Sequence, residues 1–292
     1  MKKIKLFIVS ILIILNSATL IADDFNDWKV KFKKRAIKEG VSKATVDKLI
    51  NRSKFLSDVI KYDRYQPEFY EDTKTYISKR TSSKKVKLGK IILNKENNII
   101  NKVSSEYKVD KNLLLALMGI ETNFGNYLGK MDIVSSLATL SYDQRRSEFF
   151  TKELITLLKL VDAKIIDPST LFGSWAGAFG NFQFMPSTIK NHAIDYNKDG
   201  SIDLKNIEDS FASAANYLSN LGWNDNTPCF YRINLNENIP DKYLNTSAKK
   251  IKNERKVKYL KNYIKNSSFL DKYDNLTAAI VLSLIHISDP TR

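Results

Sequence analysis

Asp110-Lys111-Asn112-Leu113-Leu114-Leu115-Ala116-Leu117-Met118-Gly119-Ile120-Glu121-Thr122-Asn123-Phe124-Gly125 is the stretch on which the reading of this 292-residue chain turns. Asp110 is a good helix N-cap, and Leu114, Leu117 and Met118 form an apolar i, i+3, i+4 stripe, the pattern of a helix with one buried face. The next member of the stripe, at i+7, is Glu121, so a carboxylate is expected on that buried face. Ionising a carboxyl in an apolar setting is costly. Its pKa should therefore rise, which suits a group that must be protonated near neutral pH to donate to a leaving oxygen. The stripe alone leaves a second reading open, in which Glu121 swings out to solvent at the helix end or pairs with Arg145 or Arg146.

Two segments downstream carry chemistry. Gly173-Ser174-Trp175-Ala176-Gly177-Ala178-Phe179-Gly180-Asn181-Phe182-Gln183-Phe184-Met185-Pro186 mixes small residues, which let backbones approach closely, with aromatic faces on which sugar rings stack. By itself it also reads as tight packing with aromatic filler. Asp195-Tyr196-Asn197-Lys198-Asp199-Gly200-Ser201-Ile202-Asp203 matches the opening of an EF-hand calcium loop. Oxygen side chains stand at positions 1, 3 and 5 (Asp195, Asn197, Asp199), followed by Gly200 at the sharp turn and Ser201 at position 7. Position 12 is Asn206, where a bidentate Glu is expected, which weakens the site unless Asp209 substitutes. The alternative is a polar turn that binds nothing.

Upstream, residues 24–109 read as helical: Phe25, Trp28 and Phe32 keep i, i+3, i+7 spacing, Ser42 marks a helix start before Ala44-Thr45-Val46, and Pro67 breaks the pattern. A basic stretch follows (Lys79, Arg80, Lys84, Lys85, Lys87, Lys90), and then another helix around 91–107. With 43% hydrophobic and 11% aromatic residues the chain is no disordered tail. Its 47 Lys+Arg against 32 Asp+Glu, a formal charge of +15, admit a polyanionic partner such as nucleic acid, a membrane surface or an acidic cell-wall polymer, or simply a lysine-rich solvated surface. Residues 1–22 have the layout of a secretory signal peptide. Lys2, Lys3 and Lys5 precede an apolar-rich run from Leu6 to Leu15, too short for the ~20 residues of a membrane span, and cleavage is expected after Ala22. No cysteine stands near that point to take a lipid. The single Cys229 excludes an intramolecular disulfide.

Taken together, and in their order and spacing, these segments resemble the lytic transglycosylase B family from about Phe25 to Leu282. The matching stretches are Tyr65-Gln66-Pro67-Glu68-Phe69, Ala116 to Gly125 with the Glu121-Thr122-Asn123-Phe124-Gly125 signature, Ser136 to Leu140 through Arg145-Arg146 to Phe149-Phe150, Gly173 to Pro186, and Asp195 to Leu204. Phe182, where the family commonly has Gly or Pro, departs from the pattern and predicts a differently shaped cleft floor. The resemblance implies a mainly α fold: a lysozyme-like helical core over 110–225 with an EF-hand-like calcium loop over 195–209, an additional N-terminal helical region over 23–109, and a partial C-terminal region over 226–282. It assigns Glu121 the role of acid and then base, places Ser174, Gln183 and Tyr217 along the sugar cleft, and puts Arg145 and Arg146 near the muropeptide. It implies Asp195, Asn197, Asp199, Ser201 and Asp209 as ligands of a structural calcium ion, with no cofactor for catalysis.

The activity so implied is cleavage of the β-1,4 bond between N-acetylmuramic acid and N-acetylglucosamine, leaving 1,6-anhydro ends, by an exported, periplasmic monomer. Its partners are peptidoglycan strands, with cell-wall synthesis or remodelling proteins beside them and no nucleic acid. An ordinary retaining glycosidase needs a second carboxylate ~5 to 5.5 Å away, whereas a 2-acetamido sugar supplies its own carbonyl oxygen. One alternative is a hydrolytic muramidase with Asp132 or Asp143 as second carboxylate; another is a non-catalytic peptidoglycan-binding protein of the same fold. Leu276 to Leu282 reads as an apolar run that should be buried. Residues 283–292 match nothing in the family and read as a non-native tail.

Overall fold

The structure, a computed structural model, describes residues 24–65, 73–223, 230–245 and 251–282. The expected signal peptide, Gln66 to Phe69, Cys229 and the tail over 283–292 lie outside the described residues. Within them two compact units separate, one of residues 24–65 with 80–223 and one of residues 73–79 with 230–245 and 251–282.

The first unit is helical. Residues 24–38 form α1, followed by α2 (Lys43–Arg52) and α3 (Ser57–Arg64). Past α4 (Thr73–Arg80), which belongs to the second unit up to Lys79, the first unit resumes with α5 (Ser83–Lys95), α6 (Asn97–Tyr107) and α7 (Lys111–Thr122). The chain continues through β1 (Met131–Asp132), α8 (Ile133–Tyr142), α9 (Ser147–Asp162) and β2 (Phe172–Gly173) to α10 (Pro186–His192) and α11 (Ile207–Asn220). The local signals hold: Ser42 Oγ caps α2 by accepting from Thr45 N at 3.2 Å, and Asp110 caps α7 by accepting from Asn112 N and Leu113 N at 2.7 and 3.0 Å. The aromatic spacing of α1 also pays out in packing. Trp28 stacks on Phe25 and Phe32 at 5.3 and 5.0 Å, and Tyr142 of α8 meets Phe25 edge-on at 5.5 Å.

The helical layer before residue 110 and the segment after it share one core. Phe25, Phe32, Val46 and Leu49 belong to the same hydrophobic cluster as Leu114, Met118, Leu137, Leu154 and Phe211. α8 runs through its centre, each of its residues from Ile133 to Ser141 buried. β1 pairs antiparallel with β2, Met131 opposite Gly173, which pins the start of the 173–186 segment beside the chain that leaves α7.

The second unit has its own small core of Val257, Leu260, Ile264, Leu270, Tyr273 and Ile280. Short strands hold it: β3 (Leu244–Asn245) lies parallel to β6 (Ile280–Val281), and β4 (Arg255–Lys256) lies antiparallel to β5 (Thr277–Ala278), with α12 (Val257–Leu260) between them in sequence. The Leu276–Leu282 run is not uniformly buried as expected. Ile280 faces this core while Leu276 and Val281 are exposed, because the segment pairs as strand pieces whose side chains alternate.

Candidate active site

Helix α7 ends at Thr122, and three residues of left-handed backbone turn the chain away: Asn123 (φ 50°), Phe124 (φ 59°) and Gly125 (φ 79°). A run of positive φ is costly for residues with a Cβ, so the turn must be held from outside. Thr122 holds it. Its buried Oγ1 donates to Asn181 O at 2.8 Å and accepts from Gly125 N at 3.0 Å, clamping the turn to the 173–186 segment. Phe124 then lies back over α7 and α5, so close to both that a Cβ on Gly119 would stand 2.7 Å from its ring and one on Gly89 3.0 Å.

Glu121 stands one residue before this turn. It differs from the sequence expectation in one respect: its side chain is exposed, not buried. Leu114 and Met118 of the same stripe are buried, but the stripe reaches the end of the helix at Glu121, and there its face opens to solvent. Desolvation by the protein around the carboxyl still raises its pKa above the ordinary 4.5. No cation offsets this among the described residues. Arg145 and Arg146, the alternative partners read from the sequence, are engaged with Asp63.

The 173–186 segment is a tight loop closed by the pairing of Phe179 with Phe184. Gly177 (φ 88°) is required there, since a Cβ would come within 2.4 Å of Leu137. Ser174 Oγ accepts from Ala178 N at 3.0 Å, and Gln183, held at φ 50°, donates from Nε2 to Gly180 O at 3.0 Å and to Leu128 O at 3.3 Å, just beyond the Asn123–Gly125 turn. Tyr217 of α11 packs edge-on against Phe184 and His192 at 5.6 and 5.1 Å. Ser174, Gln183 and Tyr217 are thus linked through one loop to the end of α7. Phe182, the departure from the family pattern, is buried and meets Phe211 edge-on at 5.3 Å. Sequence reading missed Asn181, whose amide donates to Lys205 O and Ser210 Oγ at 3.1 and 3.0 Å while its carbonyl receives Thr122.

Arg145 and Arg146 lie in a 3₁₀ turn (Gln144–Arg146) and bind Asp63 of α3. The two carboxylates considered as partners of Glu121 are committed. Asp132 caps α8, accepting from Ser135 N at 2.7 Å, and Asp143 takes both prongs of Arg64 at 3.0 and 2.8 Å, which holds its pKa below the usual value. A groove of about 330 Å³ runs along another side of α7, lined by Val86, Leu93, Leu115, Ile120 and Phe124, and Glu121 takes no part in it.

In the 195–209 loop, Asp195 accepts from Asp199 N and Gly200 N at 3.1 and 2.9 Å, and Asn197 Oδ1 accepts from Asp199 N at 3.0 Å. Asp209 is wholly buried at the start of α11, and its oxygens accept from Tyr196 N, Asn197 N and Asp203 N at 2.8, 3.3 and 2.9 Å.

The described residues thus bring together a mainly helical fold and a desolvated glutamate, Glu121, at the end of α7 beside the 173–186 loop. The chain belongs to the transglycosylase SLT domain family, whose pattern matches residues 24–282. It is 38% identical over 149 residues to the membrane-bound lytic murein transglycosylase B of Escherichia coli (strain K12), which takes in 51% of this chain and 41% of that protein, so the match spans less than half of the relative's length. Among solved structures it resembles SltB3 of Pseudomonas aeruginosa in complex with NAG-anhNAM-pentapeptide (TM-score 0.81, 28% identity, 88% of this chain and 69% of that one). It also resembles the Escherichia coli lytic transglycosylase Slt35 in complex with calcium (TM-score 0.71, 27% identity, 86% and 78%).

Proposed function

We propose that this chain is a lytic transglycosylase that cuts the β-1,4 bond between N-acetylmuramic acid and N-acetylglucosamine in peptidoglycan, with Glu121 as its single acid and base. The observation that carries the reading is the state of Glu121: its pKa raised by desolvation, its residue exposed at the end of α7, and no cation beside it among the described residues. A protonated Glu121 donates to the glycosidic oxygen as that bond breaks, while the acetamido oxygen of N-acetylmuramic acid stabilises the anomeric carbon. Glu121, now a base, takes the proton of the same sugar's 6-hydroxyl, and that oxygen bonds to the anomeric carbon to close the 1,6-anhydro ring. No water is consumed. The capping of α8 by Asp132 and the pairing of Asp143 with Arg64 speak against the hydrolytic alternative in which either serves as second carboxylate.

In this reading Ser174, Gln183 and Tyr217 hold the sugars, and Arg145 and Arg146 meet the peptide stem. The 195–209 loop suits a structural calcium ion. Its donors are hard oxygens from Asp195, Asn197, Asp199 and Ser201, and among the described residues the buried Asp209 side chain accepts from backbone amides. No three His, Cys, Asp or Glu side chains converge on a metal position among the described residues, so calcium would draw on amide, hydroxyl and backbone oxygens as well. We further read the protein as exported to the periplasm and acting as a monomer on glycan strands; no helix among the described residues is long and apolar enough to cross a membrane.

The test is digestion of purified sacculi by wild type and Glu121→Gln. Wild type should release muropeptides one water lighter than hydrolytic products. The variant, which keeps the shape but cannot donate the proton, should lose ~10² to 10⁴-fold in rate. Products carrying the added water, or a variant within a few-fold of wild type, would overturn the proposal.

A further inference from the structure

Beyond the left-handed turn that ends α7, the chain from Asn126 to Gly129 is held at several points. Tyr127 N donates to Thr122 O at 2.9 Å, and Asn126 Nδ2 donates to Asn123 O at 2.7 Å. Leu128 O accepts from Gln183 Nε2 of the 173–186 loop at 3.3 Å. Gly129 (φ 85°) lies so close to β2 that a Cβ there would stand 2.1 Å from Gly173 O, which only glycine avoids. The backbone is thus fastened on both sides of Tyr127.

The Tyr127 side chain is not. The residue is 73% exposed, more than any other Phe, Tyr or Trp described in the first unit, and its hydroxyl has no hydrogen-bond partner among the described residues. A single exposed ring is common on protein surfaces and by itself implies nothing. This one differs in its place and its mounting. Thr122, whose carbonyl receives Tyr127 N, directly follows Glu121, and that bond keeps the Cα atoms of Glu121 and Tyr127 within about 11 Å of each other. A ring with only two side-chain torsions on a fixed backbone loses little freedom when a ligand covers it. Its flat apolar face and polar tip suit a ligand that is itself apolar on one face and polar at its edges, which is the character of a pyranose ring.

We propose that Tyr127 is a substrate-binding residue whose ring stacks on an N-acetylhexosamine of the glycan strand in a subsite beside Glu121. The inference rests on the peptidoglycan reading above and adds to it a sugar contact on the chain that leaves α7.

The experiment follows binding and turnover of purified glycan strands by wild type, Tyr127→Ala and Tyr127→Phe, with binding read in a Glu121→Gln background so that the strands stay intact. Tyr127→Ala should weaken binding and raise KM by roughly tenfold, with little change in kcat. Tyr127→Phe keeps the ring and should restore both, and the melting temperature of Tyr127→Ala should match that of wild type. Unchanged binding in Tyr127→Ala, a loss confined to kcat, or a Tyr127→Phe as weak as Tyr127→Ala would overturn the inference and leave the functional reading standing. A Tyr127→Ala that melts lower and loses kcat and affinity together would make the ring structural and overturn it as well. Strands that neither bind to Glu121→Gln nor are cut by wild type overturn the functional reading and the inference with it.

Discussion

The ends of α7 and α3 each carry a carboxyl group, and the two are driven in opposite directions. At the end of α7 the Glu121 carboxyl is partly desolvated and meets no cation among the described residues, so its proton is held more tightly than in water. At the end of α3 the Asp63 carboxyl is buried more deeply, yet Arg145, Arg146 and Arg64 surround it and its pKa falls. Burial alone therefore does not make an acid. What distinguishes the two is whether hydrogen-bonded cations offset the desolvation of the charge, and that difference leaves one carboxyl suited to proton transfer and the other to holding structure. Two more buried carboxylates show an intermediate solution, satisfied by neutral donors. Glu153 of α9 accepts from Ser187 N and Oγ at 2.9 and 2.6 Å at the start of α10, and Asp209 accepts from the amides of the 195–209 loop.

The comparison is broken most strongly by removing the charge at Asp63. Asp63→Asn leaves the arginines without their counter-ion, and because these are part-exposed the cost should be about 2 kcal/mol, below the figure for a fully buried pair. The pH dependence carries the sign. A carboxyl whose folded pKa lies below its ordinary 3.8 contributes stability that is present above that value and lost as pH falls through the folded pKa. Thermal melts from pH 7 down to pH 2 should show wild type and variant far apart at neutral pH and converging in acid. Parallel curves would mean that the ion pair contributes nothing.

A smaller effect is expected at the 195–209 loop, where repayment would come from calcium. At ten times its Kd a ligand bound only by the folded state adds about 1.4 kcal/mol. Melting temperature should thus rise by a few degrees in calcium relative to chelator, and Asp195→Ala should erase the rise. An unchanged wild-type melt across millimolar calcium would take the metal out of the account.

Local signals carried much of this in the sequence. The caps at Ser42 and Asp110, the aromatic face of α1 and the stripe of α7 depend on neighbours within a turn or two, and they stand where the periodicity put them. Contacts across long sequence separations were invisible. Nothing in Ser57–Arg64 marks Asp63 as buried, because its partners Arg145 and Arg146 lie some eighty residues away. The Thr122–Asn181 clamp spans 59 residues and leaves no periodic trace. Periodicity also misled at Glu121: the stripe predicts which way a side chain points, while its exposure depends on what covers the end of the helix. The packing of Phe182 in the core against Phe211, beside a Gln183 held in left-handed backbone, is likewise a contact across the sequence that no local pattern marks.

The measurement closest to the central claim is a direct titration of the Glu121 carboxyl, by carbon NMR of selectively labelled protein with Glu121→Gln to assign the signal. Glu121 should titrate with a midpoint above the ordinary 4.5 and make a stability contribution of matching sign: a raised carboxyl pKa means the folded state loses stability as pH rises through that window, so Glu121→Gln should melt no lower than wild type at pH 7. A Glu121 midpoint at or below 4.5 would contradict it, for a carboxyl that gives up its proton as readily as in water has no environment that makes it an acid.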